Sequence, residues 1–261
     1  MFPTNTFFSQ NIISKILTDT TFTLQCKLDI IDVLLGLRPA ARLIVKKNIE
    51  AEALATILID SGGYVKPGSS SFNQPTKGDN NSGYIDYFQS DSNNTDEYVE
   101  CFIALYFAEN EDRGLKAYNA DYTKDDSIFG QSLGYPSCCI KMVEKKGHVP
   151  ALIDCFKLYA YDGEYEPLTW PVAAMLDATP IPHYPCNRSC KESIEIAKSR
   201  INMLSKFGQE NDINRMETAL KSQYTISDEG TINIIKINVM KNCINIASPK
   251  RNIDFNNPEL N

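Results

Sequence analysis

Residues 98–107 read YVECFIALYF, an aromatic and β-branched run with one acidic residue inside it. Such a run predicts a buried strand. Most of the chain around it has helical character, so this one strand moves the expected fold from all-α to α+β. Upstream, residues 24–46 (LQCKLDIIDVLLGLRPAARLIVK) carry a helical pattern with Leu34, Leu35, Leu37 and Leu43 as apolar weight, and Pro39 is expected to break it. Residues 48–60 have an Asn cap candidate and good helix formers, and Gly62 and Gly63 stop them. The first 20 residues read as a loose lead-in.

Residues 62–98 are rich in Gly, Ser, Asn and Asp, with a YIDYF segment that reads as a short strand. So long a polar stretch inside a domain predicts a mobile insertion or a lid. Beyond the strand the chain runs polar to residue 127. Residues 128–146, IFGQSLGYPSCCIKMVEKK, read as a loop feeding a helix, with Ser137 as N-cap and Gly147 as stop. Residues 150–160 and 170–177 suggest further helices. Residues 178–186, ATPIPHYPC, hold three prolines and predict an extended segment. Residues 190–223 show helical periodicity broken near Gly208, and residues 230–240, GTINIIKINVM, alternate as a strand. The expected fold is one α+β domain over residues 1–261, helix-rich with a small antiparallel sheet.

With 26 Lys and Arg against 33 Asp and Glu, the chain has a net charge of −7 and no basic block. That argues against a phosphate-backbone partner, and so against nucleic acid. No apolar run approaches the ~18–20 residues of a membrane span. The N-terminal residues lack a charged segment followed by an apolar one, which predicts a cytoplasmic protein. The eight cysteines, at positions 26, 101, 138, 139, 155, 186, 190 and 243, are then expected as thiols rather than disulfides.

Two segments carry chemistry. In the first, Gly130 to Cys139 (GQSLGYPSCC), a Gly-containing turn puts Cys138 and Cys139 in the first turn of a helix. The N–H groups and dipole there stabilise a thiolate, and also an oxyanion beside it. Gln131, seven residues before Cys138, offers a second oxyanion donor. Neighbouring side chains on a helix diverge by about 100°, so one cysteine is expected in the site and the other in the packing; the sequence leaves open which.

The second segment, Ile181 to Cys190 (IPHYPCNRSC), holds one of only two histidines. His183, set between prolines, is favoured over His148 as a base for the thiol. Asn187 and Asp177 are the nearest candidates in sequence to orient its imidazole, and Asn187 alternatively caps the helix beginning near Cys190.

A Gln, a Gly-containing loop and a Cys opening a helix, with a His later in the chain, resemble the nucleophile region of papain-fold cysteine proteases and their transglutaminase relatives. The pairing of LGYPSCC with PHYPCNRSC also resembles prokaryotic proteins with GYPxCC and PHxPCxxxC segments. Among these is the papain-like amide synthase of closthioamide-type polythioamide assembly. The resemblance implies a papain-like fold and an acyltransferase of natural-product biosynthesis. Cys138 or Cys139 would take an acyl group from a peptidyl carrier protein and pass it to an amine or diamine, with His183, Gln131 and Asn187 as helpers. That chemistry needs no cofactor and no metal.

A rival reading uses the same residues. Cys138, Cys139, Cys186 and Cys190, with His183, are a donor set for a metal: thiolate and imidazole suit zinc, and the four thiolates suit an iron–sulfur cluster. Adjacent cysteines are awkward ligands for one ion, and C-x3-C is not the commonest zinc spacing, though within the range zinc sites use.

Overall fold

The computed structural model describes residues 10–19, 22–46, 49–73, 88–89, 101–147, 167–169, 178–220, 223–226 and 232–236. The expected helices at 150–160 and 170–177, His148, Asp177 and the C-terminal tail lie outside them. Where the sequence reads as one domain, the chain divides into two compact units: Met1–Gly78 with Ile85–Ile140, and Asp79–Tyr84 with Lys141–Asn261. The division falls within a single helix, Ser137–Lys146.

The first unit is built on a four-stranded antiparallel sheet. Its strands are β1 (Ala40–Lys46), β2 (Tyr64–Asn73), β3 (Phe88–Gln89) and β4 (Cys101–Ala108), in the order β1-β4-β2-β3. β4 is the expected buried strand, and it pairs on both sides: Tyr106 lies opposite Arg42 on β1 and Lys66 on β2.

Strand alternation then sorts the side chains. Ala40, Ala104, Tyr106 and Ala108 face helix α4 (Glu111–Tyr122), with Ala117, Leu133, Tyr118 and Phe129 packed around them. Leu43, Val45, Leu105 and Phe107 are buried on the other face, where helices α2 (Leu24–Leu34) and α3 (Ile49–Asp60) cover the strands. Each such Leu or Phe contributes about 1.5–3 kcal/mol by leaving water. Small residues on the α4 side let the helix approach closely; a Cβ on Gly114 would sit 2.4 Å from the Tyr64 ring.

The structure departs from the sequence reading at four places. A helix α1 (Gln10–Thr18) occupies part of the expected lead-in. The helical pattern of 24–46 ends at Leu34, and Ala40–Lys46 is a strand because β4 supplies it a hydrogen-bonding edge. The polar insertion begins later than expected, since residues 64–73 form β2 against β4. The polar run to 127 contains α4 and the start of α5 (Asp126–Ser132). Both are capped: Asn110 Oδ1 accepts from Arg113 N at 3.1 Å, and Asp125 Oδ1 from Ile128 N at 2.9 Å.

The helix α6 (Ser137–Lys146) follows α5. In the second unit the described elements are a 3-10 turn (Pro167–Thr169), the segment 178–190, helices α7 (Lys191–Lys206) and α8 (Glu210–Leu220), and a hairpin of β5 (Gln223–Ile226) with β6 (Ile232–Lys236). Met203 and Leu204 of α7 are buried, as are Met216, Ala219 and Leu220 of α8. Gly208, at φ +67°, makes the turn between the two helices where the sequence places a break. The coarse fold class is thus as read: α+β, with many helices and small antiparallel sheets. Among the described residues no helix is long and apolar enough to cross a membrane.

Candidate metal centre

Helix α5 ends in a Schellman turn. Tyr135 N bonds to Gly130 O and Gly134 N to Gln131 O, each at 3.0 Å, with Gly134 at φ +71°. Pro136 then opens α6, its carbonyl accepting from Cys139 N and Ile140 N at 3.0 Å. The Gly-Tyr-Pro run therefore reverses the chain and starts a new helix within three residues.

Cys138 is half-buried and Cys139 is buried. Their Sγ atoms are 3.9 Å apart. The divergence expected of helix neighbours does not separate them: the 100° applies at the helix axis, and a one-carbon arm lets the two sulfurs turn toward a common point.

The segment 178–190, expected to be extended, instead bends at 180, 182–183 and 186–187 and turns at 188–189, and local bonds hold it. Thr179 Oγ1 accepts from Ile181 N at 3.3 Å and donates to Ile181 O at 3.1 Å. Thr169 Oγ1 donates to Arg188 O at 3.1 Å, tying the segment to the 3-10 turn. Asn187 Oδ1 accepts from Ser189 N at 3.0 Å, and Asn187 Nδ2 donates to Cys186 Sγ at 3.3 Å. Cys186 is half-buried. Cys190 is buried and is the N-cap residue of α7.

The four sulfurs of Cys138, Cys139, Cys186 and Cys190 all lie within 4.8 Å of one another. Cys138 and Cys139 are carried on α6, a continuous helix whose last six residues belong to the second unit, as Cys186 and Cys190 do. Zinc binds thiolate at about 2.3 Å, so a tetrahedral site has sulfurs about 3.8 Å apart. The observed sulfurs, up to 4.8 Å apart, are a little more widely spread than that. Two helix starts supply three of the four sulfurs: the first turn of α6 gives two, and the N-cap of α7 gives one. Their partial positive charges offset the negative charge that four thiolates bring together.

The other residues singled out in the sequence have partners close to home. His183 Nε2 is 2.8 Å from Ser193 Oγ, and Ser193 is fully buried on α7. Gln131 is exposed on α5, and its Nε2 donates to Ser127 Oγ at 3.3 Å. Asn187 makes the turn bonds given above. Its side chain does not cap α7, whose N-cap residue has no side-chain cap bond.

One residue behind the cysteine pair has no signal in the sequence. Arg38, a buried cation before a proline, bonds into the turn that starts α6. Compared with protein-family profiles, curated proteins and solved structures, the chain matches none.

Proposed function

We propose that this protein binds one zinc ion through Cys138, Cys139, Cys186 and Cys190. The observation that carries this reading is the mutual approach of the four sulfurs, within 4.8 Å. In an iron–sulfur cubane each thiolate binds a different iron, which spreads the sulfurs more widely than a single ion does. Four protein thiolates fill a tetrahedral zinc and leave no open position. A closed site of this kind holds a fold together rather than activating water. Binding is coupled to folding, because the unfolded chain presents no such site.

The test is metal content and a cobalt spectrum on purified full-length chain. One zinc per chain, and cobalt substitution giving intense sulfur-to-metal bands of a tetrahedral four-thiolate site, are expected. Cys186→Ser and Cys190→Ser should each reduce metal content and stability. Full occupancy in both variants would end the zinc reading.

A second reading keeps one observation in its favour. Cys138 is half-buried in the first turn of α6, where a thiol is acidified and reachable. On that reading the protein is a cytoplasmic, papain-like acyltransferase. Cys138 or Cys139 attacks a thioester on a carrier protein and releases the carrier's thiol, which takes the proton that His183 relays; an amine or diamine then displaces the cysteine from the acyl-enzyme, forming the amide and restoring the thiol. The two readings compete for the same sulfurs. Cysteine alkylation against pH separates them: protection of all four thiols, lifted by a chelator, supports zinc. Rapid labelling of Cys138 or Cys139 alone near pH 6, well below the ~8.5 of a free thiol, supports acyl transfer.

A further inference from the structure

Arg38 lies in the connection between α2 and β1 and is only 6% exposed. Its Nη1 donates to Asp29 Oδ1 at 2.6 Å, and its Nε donates to Leu133 O at 2.7 Å. Gln25 Nε2 donates to the same Asp29 oxygen at 2.9 Å, which fixes the carboxylate. The guanidinium also lies over the Tyr135 ring, 5.4 Å from its centre. Leu133 is the C-cap residue of α5. Its carbonyl belongs to the set that a helix leaves without an internal donor, so Arg38 supplies what the helix end lacks.

Contact continues along the turn. A Cβ on Gly134 would sit 3.0 Å from Pro39 Cδ and 3.5 Å from Arg38 Cα. Arg38 and Pro39 therefore hold Leu133, Gly134 and Tyr135 by an ion-paired hydrogen bond, a ring face and close packing at once. Pro136, Ser137, Cys138 and Cys139 follow directly.

We infer that Arg38 is a positioning residue for the thiolate pair: it fixes the turn that aims Cys138 and Cys139, and so sets metal affinity without touching the ion. The inference rests on the zinc reading. The planar fork matters because one edge reaches Leu133 O while the other end satisfies Asp29. A lysine has one nitrogen and keeps the charge pair at the expense of the tether. Groups that orient metal ligands from behind typically change affinity by about 10–100-fold when lost.

The experiment measures zinc Kd by competition with a chromophoric chelator, and the melting temperature of the metal-free protein, for full-length wild type, Arg38→Lys, Gly134→Ala and Leu58→Ala. Arg38→Lys is expected to retain one zinc per chain with affinity about 10-fold weaker. Its metal-free melting should fall only modestly, since Asp29 keeps a cation while Leu133 O loses its donor. Gly134→Ala strains the same turn from the other side and should weaken binding likewise. Leu58→Ala opens a cavity beneath α3, away from the turn, and should lower melting without changing Kd. An Arg38→Lys Kd within about twofold of wild type overturns the inference, as does a Leu58→Ala loss of affinity as large as that of Arg38→Lys. Should Arg38→Lys fail to fold, an unchanged Kd in Gly134→Ala overturns it. Wild-type chain that takes up no zinc is a separate failure, that of the zinc reading itself.

Discussion

At the scale of the residue, Tyr106 shows how the first unit handles a buried polar group. The ring is in the core, and its hydroxyl donates to Asp121 Oδ2. Arg42 Nε lies 3.2 Å from the same carboxylate, so the acceptor is itself neutralised. Burial first, and the bond to Asp121 second, push the phenol well above its ordinary value near 10. A phenol raised in the folded state binds its proton more tightly there than in the unfolded chain. Its stabilisation is fully present below pH about 10 and declines as pH rises above that. Tyr106→Phe should cost about 1.5–3 kcal/mol near pH 7, the range for a hydrogen bond to a charged group. It should also flatten the alkaline fall in stability, read by urea unfolding at pH 8 and 10.5. Equal slopes for the two proteins would show that this phenol does not titrate with folding. The vicinal cysteines teach a different residue-scale lesson. Their chemistry was plain in GYPSCC, but the direction of each thiol was not, because it depends on side-chain rotamers that helix periodicity does not fix.

At the scale of the element, helices with strong punctuation were readable and unpunctuated segments were not. Helix α3 ends at Gly62 and Gly63 as read, and α7 and α8 part at Gly208 as read. AARLIVK carries on the apolar weight of α2 beyond the break at Pro39, and only pairing with β4 makes it a strand. Helix α5 has seven residues, too few for a periodicity to show. Caps would have revealed it and α4. Asn110→Ala should therefore destabilise by about 1 kcal/mol, seen as a lower urea midpoint with unchanged slope. Gly114→Ala drives a Cβ into Tyr64 and should cost more, about 1–3 kcal/mol by the same measurement, despite alanine's better helix propensity. Stabilisation by that change would mean α4 has room to withdraw from β2.

At the scale of the whole molecule, the two chemical segments were each legible, whereas their meeting was not. Nothing in the spacing between Cys139 and Cys186 says that they share a point in space. The mutual distance of four sulfurs is a property of the folded chain, and it makes four scattered thiols one candidate donor set. The consequence for stability is direct. A ligand held only by the folded state stabilises it by RT ln(1 + [L]/Kd), about 4 kcal/mol at a thousand times Kd. On the zinc reading, a strong chelator should lower the melting temperature by many degrees and restored zinc should recover it. A melting curve indifferent to both would leave the sulfurs without a structural ion.

The strand order has a consequence in time. β1 and β2 both come before β4 in the chain, yet each pairs with β4 and neither with the other. At about 5–20 residues per second, a nascent chain exposes β1 for several seconds before its partner is made. The apolar β1 thus waits for a central strand made later, and the sheet closes only when β4 joins it to β2. Until β4 arrives, the apolar β1 has no sheet partner, and such transiently open strand edges are where folding chains aggregate.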